Sequence, residues 1–156
     1  MNRDLRALEL DKILDLLAGE TCCSAAADMA RALRPVAYRE QAQRLLQETD
    51  DACRLMAGFG SPSFGQLTDV SNPLRRAEAG ACLSLAEFLR IADILRTIRS
   101  ISQWRSHCEG VNTCLDDRFS ALLPNKYLEE KIAAVVVNEE EVADNASPTL
   151  ADIRRK

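Results

Sequence analysis

At 156 residues the chain can close one hydrophobic core, or one core with an attached subdomain, and is short for two complete independent domains. Hydrophobic residues at 47% and charged residues at 28% exclude a disordered polymer, and few aromatics among many Ala and Leu favour helix. A net charge of -4 excludes a surface that is basic throughout, and neither a run of ~20 apolar residues nor a signal peptide is present near Arg3, Asp4 and Arg6, so a cytoplasmic protein with no membrane partner is expected.

Leu5, Leu8, Ile13, Leu14, Leu16 and Leu17 recur with helical spacing, predicting a first helix over 4–18 that stops at Gly19. Thr21 is placed to cap a second helix over 22–34, with Ala26, Met29, Ala30 and Leu33 as its buried stripe and Pro35 at its end. A third helix is predicted over 38–57. Its core face is Ala42, Leu45, Leu46, Ala52, Leu55 and Met56, with Arg39, Arg44, Glu48 and Asp51 toward water.

Residues 57–72 hold Gly58, Gly60, Pro62 and Gly65 and read as a long loop. Asn72 and Pro73 then suggest an N-cap with proline in the first turn of a short helix ending at Gly80. Ser84-Leu85-Ala86-Glu87 is a capping box, with Leu83 and Phe88 as the hydrophobic staple. The helix it opens keeps its period through Phe88, Ile91, Ala92, Leu95, Ile98 and Ile101 to about Arg105, and should be the longest.

Two shorter helices are expected over 114–123 and 126–134, separated at Pro124. The valines 135–137, the acidic run Glu139 to Glu141 and Val142 suggest a small hairpin near 135–143. Ser147 and Pro148 open a last helix that is still running at Lys156, which reads as a segment of a longer polypeptide. The fold class is therefore mainly all-α: a helical core over 1–147 and the start of a further helix over 148–156.

The chemistry-bearing residues are few. Gly58-Phe59-Gly60 lacks the Gly-Lys-Ser/Thr ending of a phosphate loop. The six cysteines, Cys22, Cys23, Cys53, Cys82, Cys108 and Cys114, lie in or beside amphipathic helices and are expected as free thiols; His107 with Cys108 and Cys114 lacks the paired spacing of a zinc site. Trp104 and Phe119 look too isolated for a stacking platform, and Glu139, Glu140, Glu141 and Asp144 read as a solvated edge. The segment 73–105 carries six arginines against three acids. Arg75, Arg76, Arg90, Arg96 and Arg99 are the candidate nucleic-acid contacts, because guanidinium groups on one helical region can engage phosphates; pairing with Glu78, Glu87 and Asp93 is the competing role. No catalytic, metal or cofactor-binding residue is assigned.

Four ordered words cover nearly the whole chain: Leu8-Glu9-Leu10-Asp11-Lys12-Ile13-Leu14, Glu48-Thr49-Asp50-Asp51-Ala52, Leu74-Arg75-Arg76-Ala77-Glu78-Ala79-Gly80 running on to Ser84, and Glu140-Glu141-Val142-Ala143-Asp144-Asn145-Ala146-Ser147-Pro148 running on through Leu150. In this order they resemble the N-terminal region of the type-two branch of the bacterial MutS family, whose members carry a C-terminal Smr nuclease domain. The resemblance implies a helical core from which lever helices depart toward a clamp, with the helix at Pro148 as the first lever. It further implies a homodimeric parent ATPase and endonuclease using ATP and Mg, acting on branched or mismatched DNA to suppress recombination or on stalled, collided ribosomes through rRNA. None of the family's phosphate-binding residues has a counterpart here, so the chain itself is expected to be a non-catalytic core and lever segment. The alternative is a self-contained helical module that docks protein partners in an apolar groove.

Overall fold

The computed structural model describes residues 7–65 and 67–155. Leu5, predicted in the first helix, and Lys156 lie outside the described residues. The chain is mainly helical, with eight helices described: α1 (Leu10–Gly19), α2 (Ser24–Ala32), α3 (Arg39–Phe59), α4 (Ser71–Glu78), α5 (Leu85–His107), α6 (Asp116–Ser120), α7 (Lys126–Val135) and α8 (Pro148–Arg154). They fall into two compact units. One runs to Asp69 and takes in Val111–Leu115; the other comprises Val70–Gly110 and resumes at Asp116.

In the first unit α1 packs on α2. Helix α1 begins at Leu10, after Glu9, whose left-handed backbone, φ 54°, interrupts the helical path; the start predicted at residue 4 lies outside the described residues. The Glu9 carbonyl then accepts from the Lys12 and Ile13 amides, and the Glu9 carboxylate pairs with Lys12 Nζ at 2.7 Å. Thr21 does not cap α2: its hydroxyl donates to the Ala18 carbonyl at 2.8 Å, closing the end of α1, and α2 starts at Ser24.

The predicted stripes of this unit are only partly buried. Ala18, Ala30 and Leu55 are buried, whereas Leu16, Met29, Leu33, Leu46 and Met56 are exposed. The face of α3 that turns inward is centred on Asp51 and Leu55, so Asp51, expected in water, is only 3% exposed. Helix α3 also runs two residues past its expected end. Gly58 and Phe59 complete the last turn, and Gly60 caps it with φ 76°, its amide donating to the Met56 carbonyl at 2.9 Å.

In the second unit Ile91, Ala92, Ile132 and Val136 form the core, with Val70, Leu83, Phe88, Leu89 and Leu95 packed around them. Helix α5, at 23 residues the longest described, runs through that core against α7 and α6. Its capping box is complete: Ser84 Oγ accepts from the Glu87 amide and the Glu87 carboxylate accepts from the Ser84 amide at 2.8 Å.

Helix α4 starts one residue before the expected cap, at Ser71, and no side chain caps it. It ends in a Schellman arrangement. The Ala81 amide donates to the Arg76 carbonyl and the Gly80 amide to the Ala77 carbonyl, with Gly80 at φ 84°.

The hairpin shrinks to one isolated antiparallel bridge, Val136 with Val142, because α7 continues through Val135 and leaves too little chain for a strand. The helix expected over 114–123 is reduced to α6. Asn125 caps α7 through the Leu128 amide, and Ser147 caps α8 through the Leu150 amide, with Pro148 in the first turn. No described helix is long and apolar enough to cross a membrane.

Candidate functional site

The arginine segment lies on α4 and α5, and carboxylates divide it. Arg76 reaches across the turn between these helices: Nη1 donates to Glu87 Oε1 at 2.6 Å and Nη2 to the Cys82 carbonyl at 3.2 Å. Glu87 thus serves the capping box and Arg76 at once. Its carboxyl is held below the usual range, first by the Ser84 amide and then by the Arg76 guanidinium.

Arg99 is bound still more tightly. Its Nε donates to Glu129 Oε2 at 2.9 Å and Nη2 to Oε1 at 2.8 Å, a bidentate fork joining α5 to α7. Arg96 pairs with Asp93 at 2.6 Å and approaches Glu129 at 3.8 Å. Glu129 is 8% exposed, and Arg99, ahead of Arg96 and Lys126, lowers its pKa against the opposing effect of burial. The reciprocal effect raises Arg99, through its hydrogen bonds to Glu129.

Arg75 and Arg90 differ from these. Both are exposed, and neither has an ion pair among the described residues. Of the five candidate contacts, the fold brings Arg96 and Arg99 together at Glu129, ties Arg76 to Glu87, and leaves Arg75 and Arg90 presented to solvent.

Sequence reasoning missed Glu129 and Asp51 as organising groups. Both are carboxylates at helical-stripe positions: Glu129 precedes Ile132 and Val136 by three and seven residues, and Asp51 precedes Leu55 by four. That signal was available. Within the first unit, Asp51 accepts from Gln47 Nε2 at 2.9 Å, from Arg54 Nη1 at 3.3 Å and from the Cys114 amide at 2.8 Å, so it pins residues 111–115 to α3. The Cys114 amide, then its thiol, lowers the Asp51 pKa. Asp51 in return pushes the Cys114 thiol up.

Trp104 and Phe119, taken as isolated, are paired, their rings 6.0 Å apart and tilted by 50°, with the Arg105 guanidinium 5.8 Å from the Phe119 centroid. Arg105 also donates to Asp116 at 2.6 Å. This cluster ties α6 to α5, and Trp104 is half-buried within it. The thiols are free; Cys108 is buried and donates to the Trp104 carbonyl, while Cys22, Cys53, Cys82 and Cys114 are exposed. His107 Nδ1 lies 2.6 Å from the Gln103 carbonyl one turn earlier on its own helix.

No protein-family model matches the sequence. Individual relatives do: the chain is 36% identical over 158 residues to a protein named endonuclease MutS2 from Acetivibrio thermocellus, a match covering 99% of this chain and 20% of that protein. The same name belongs to proteins of Ruminiclostridium cellulolyticum, 35% identical over 97% of this chain, and Clostridium botulinum, 31% identical over 99%. The chain belongs to the MutS2 family. It spans about one fifth of the length of the relatives it matches.

Membership in MutS2 gives the ordered sequence words a structural meaning. The word from Leu74 to Ser84 encodes the end of α4, the Gly80 turn and the cap of α5. Glu48 to Ala52 contains the buried Asp51, and the word ending at Pro148 supplies the Ser147 cap. The words that carry the resemblance are largely those that set helix boundaries.

Proposed function

We propose that the chain is a non-catalytic core and lever segment of a cytoplasmic, homodimeric MutS2-type ATPase and endonuclease that acts on DNA or on ribosomes. The observation that carries this reading is identity of 31–36% across nearly the whole chain to proteins named endonuclease MutS2, of whose length it spans about a fifth. In support, Gly58 lies in the last turn of α3 and Gly60 caps it, so these two glycines serve the end of a helix. ATP and Mg belong, on this reading, to other parts of the parent.

The chain's own contribution is mechanical. A long capped helix, forked to α7 by Arg99 and Glu129, resists bending and transmits displacement as a unit. The exposed apolar faces of α1, α2 and α3 also support a segment that packs within a larger polypeptide.

Suppression of recombination and rescue of collided ribosomes are the two outcomes for the parent. Crosslinking the full-length protein in cells and sequencing the recovered nucleic acid separates them, as branched or mismatched DNA in one case and ribosomal RNA in the other. Enrichment of neither class defeats the reading, as does ATP hydrolysis by this chain alone.

A further inference from the structure

We infer that the groove between the start of α5 and the exposed side of α7 is a docking site for an acidic amphipathic helix of a protein partner. It has a volume of about 350 Å³ and is lined by Leu85, Phe88, Leu128, Lys131, Ile132, Val135 and Val136. The inference is independent of the nucleic-acid reading.

The shape follows from helical periodicity. Leu128, Lys131, Ile132 and Val135 stand at i, i+3, i+4 and i+7 on α7, and Leu85 and Phe88 at i and i+3 on α5. The two rows line the groove, and Ile132 and Val136 within that lining are buried in the core. Tyr127 and Leu123, each more than 70% exposed, add apolar surface toward the start of α7. A continuous apolar strip beside a groove is the receiving surface of helix-in-groove recognition.

Charge selects the occupant. Among the described residues, Lys131 is the only charged one lining the groove and has no carboxylate partner. Its ammonium rests near the Tyr127 ring, 5.5 Å from the centroid and 3.4 Å from the hydroxyl. The acids beside it on α7 are committed elsewhere, Glu129 to Arg99 and Glu130 to Lys126. A helix that buries aliphatic side chains in the groove and sets a carboxylate against Lys131 satisfies both features; a basic helix does not.

The test uses the full 156-residue chain and two synthetic helical peptides of about 15 residues, long enough to hold a helix on binding. Both carry leucines at i, i+3, i+4 and i+7. One has flanking glutamates and the other flanking lysines. Fluorescence anisotropy should show binding of the glutamate peptide. Lys131→Glu should weaken it by about fivefold, the weight of one exposed ion pair, and improve binding of the lysine peptide, with the circular-dichroism melt unchanged. Leu128→Ser, at a half-exposed position, should weaken both peptides. Binding of neither peptide overturns the proposal, as does equal binding of both regardless of residue 131. So does sedimentation showing a dimer of this chain that Leu128→Ser dissociates, since a second copy would then cover the groove.

Discussion

Arginines of one segment differ in what they are free to do, and the difference is set by the nearest carboxylate. A guanidinium locked in a bidentate fork with a buried acid, as Arg99 is with Glu129, must break that fork before it can meet a phosphate. Arg75 and Arg90 have nothing to break. In the full-length protein, replacing both by alanine should reduce the slope of log affinity against log salt by up to ~0.9 per lost contact with duplex DNA, while leaving the melting temperature unchanged. Arg99→Ala should instead lower the melting temperature. Equal salt slopes for the wild type and the double variant would remove Arg75 and Arg90 from the interface. At the same scale, Asp51 makes Cys114 a reluctant nucleophile, because the hydrogen bond to the Asp51 carboxylate favours the thiol form and, less strongly, burial and charge repulsion disfavour the thiolate. Alkylation at neutral pH, followed by mass spectrometry, should modify exposed Cys22, Cys53 and Cys82 before Cys114. Asp51→Asn should speed labelling at Cys114.

Several element ends were legible in the sequence because their boundary chemistry is local, although Thr21 and Asn72 do not cap the helices they precede or open. The box from Ser84 to Glu87, the Ser147-Pro148 start and the Gly80 stop are all decided within a few residues, and the corresponding ends of α5, α8 and α4 lie where these signals put them, or within two residues. Glu129 and Asp51 stand at stripe positions that the sequence shows, but what makes their burial tolerable includes partners 30 and 63 residues away in the chain, Arg99 and the Cys114 amide, which local spacing does not reveal. The hairpin is cut to a single antiparallel bridge for a related reason: Val135, the first of the valine run, is taken into helix α7, which has the Asn125 cap. The joint between α5 and α7 therefore includes, beside its apolar core, an ion pair that periodicity alone does not reveal, and acid should expose it. Glu129 has a folded pKa below its ordinary value near 4.5, so its share of the stability is complete above that range and is lost as pH falls through the lower folded value. Thermal melts should show the wild type losing stability below about pH 5. Glu129→Gln should start from a lower melting temperature at neutral pH and lose less on acidification. Parallel slopes for the two proteins would mean that other carboxylates carry the acid response.

The molecule as a whole is unevenly consolidated. Among the described residues, the second unit collects Ile91, Ala92, Ile101, Cys108, Ile132 and Val136 as buried side chains, whereas the first buries little beyond Ala18, Ala30, Asp51 and Leu55 and leaves Leu16, Met29 and Leu46 in water. Free energy of local opening follows buried apolar surface, so the two units should not open at the same cost. Native-state hydrogen exchange of the 156-residue chain should find the slowest amides in the middle of α5 and in α7, and faster exchange through α1 and α2. Removing side-chain volume tests the cause. Ile132→Ala should cost about 2–5 kcal/mol and accelerate exchange across α5 and α7 together, because the cavity lies where the two helices share a core. Met29→Ala, at an exposed position, should change little. A longer polypeptide that covers the faces of α1 to α3 should slow exchange in those helices specifically. Uniform protection across both units in the short chain would show that the first unit is held by something other than apolar burial.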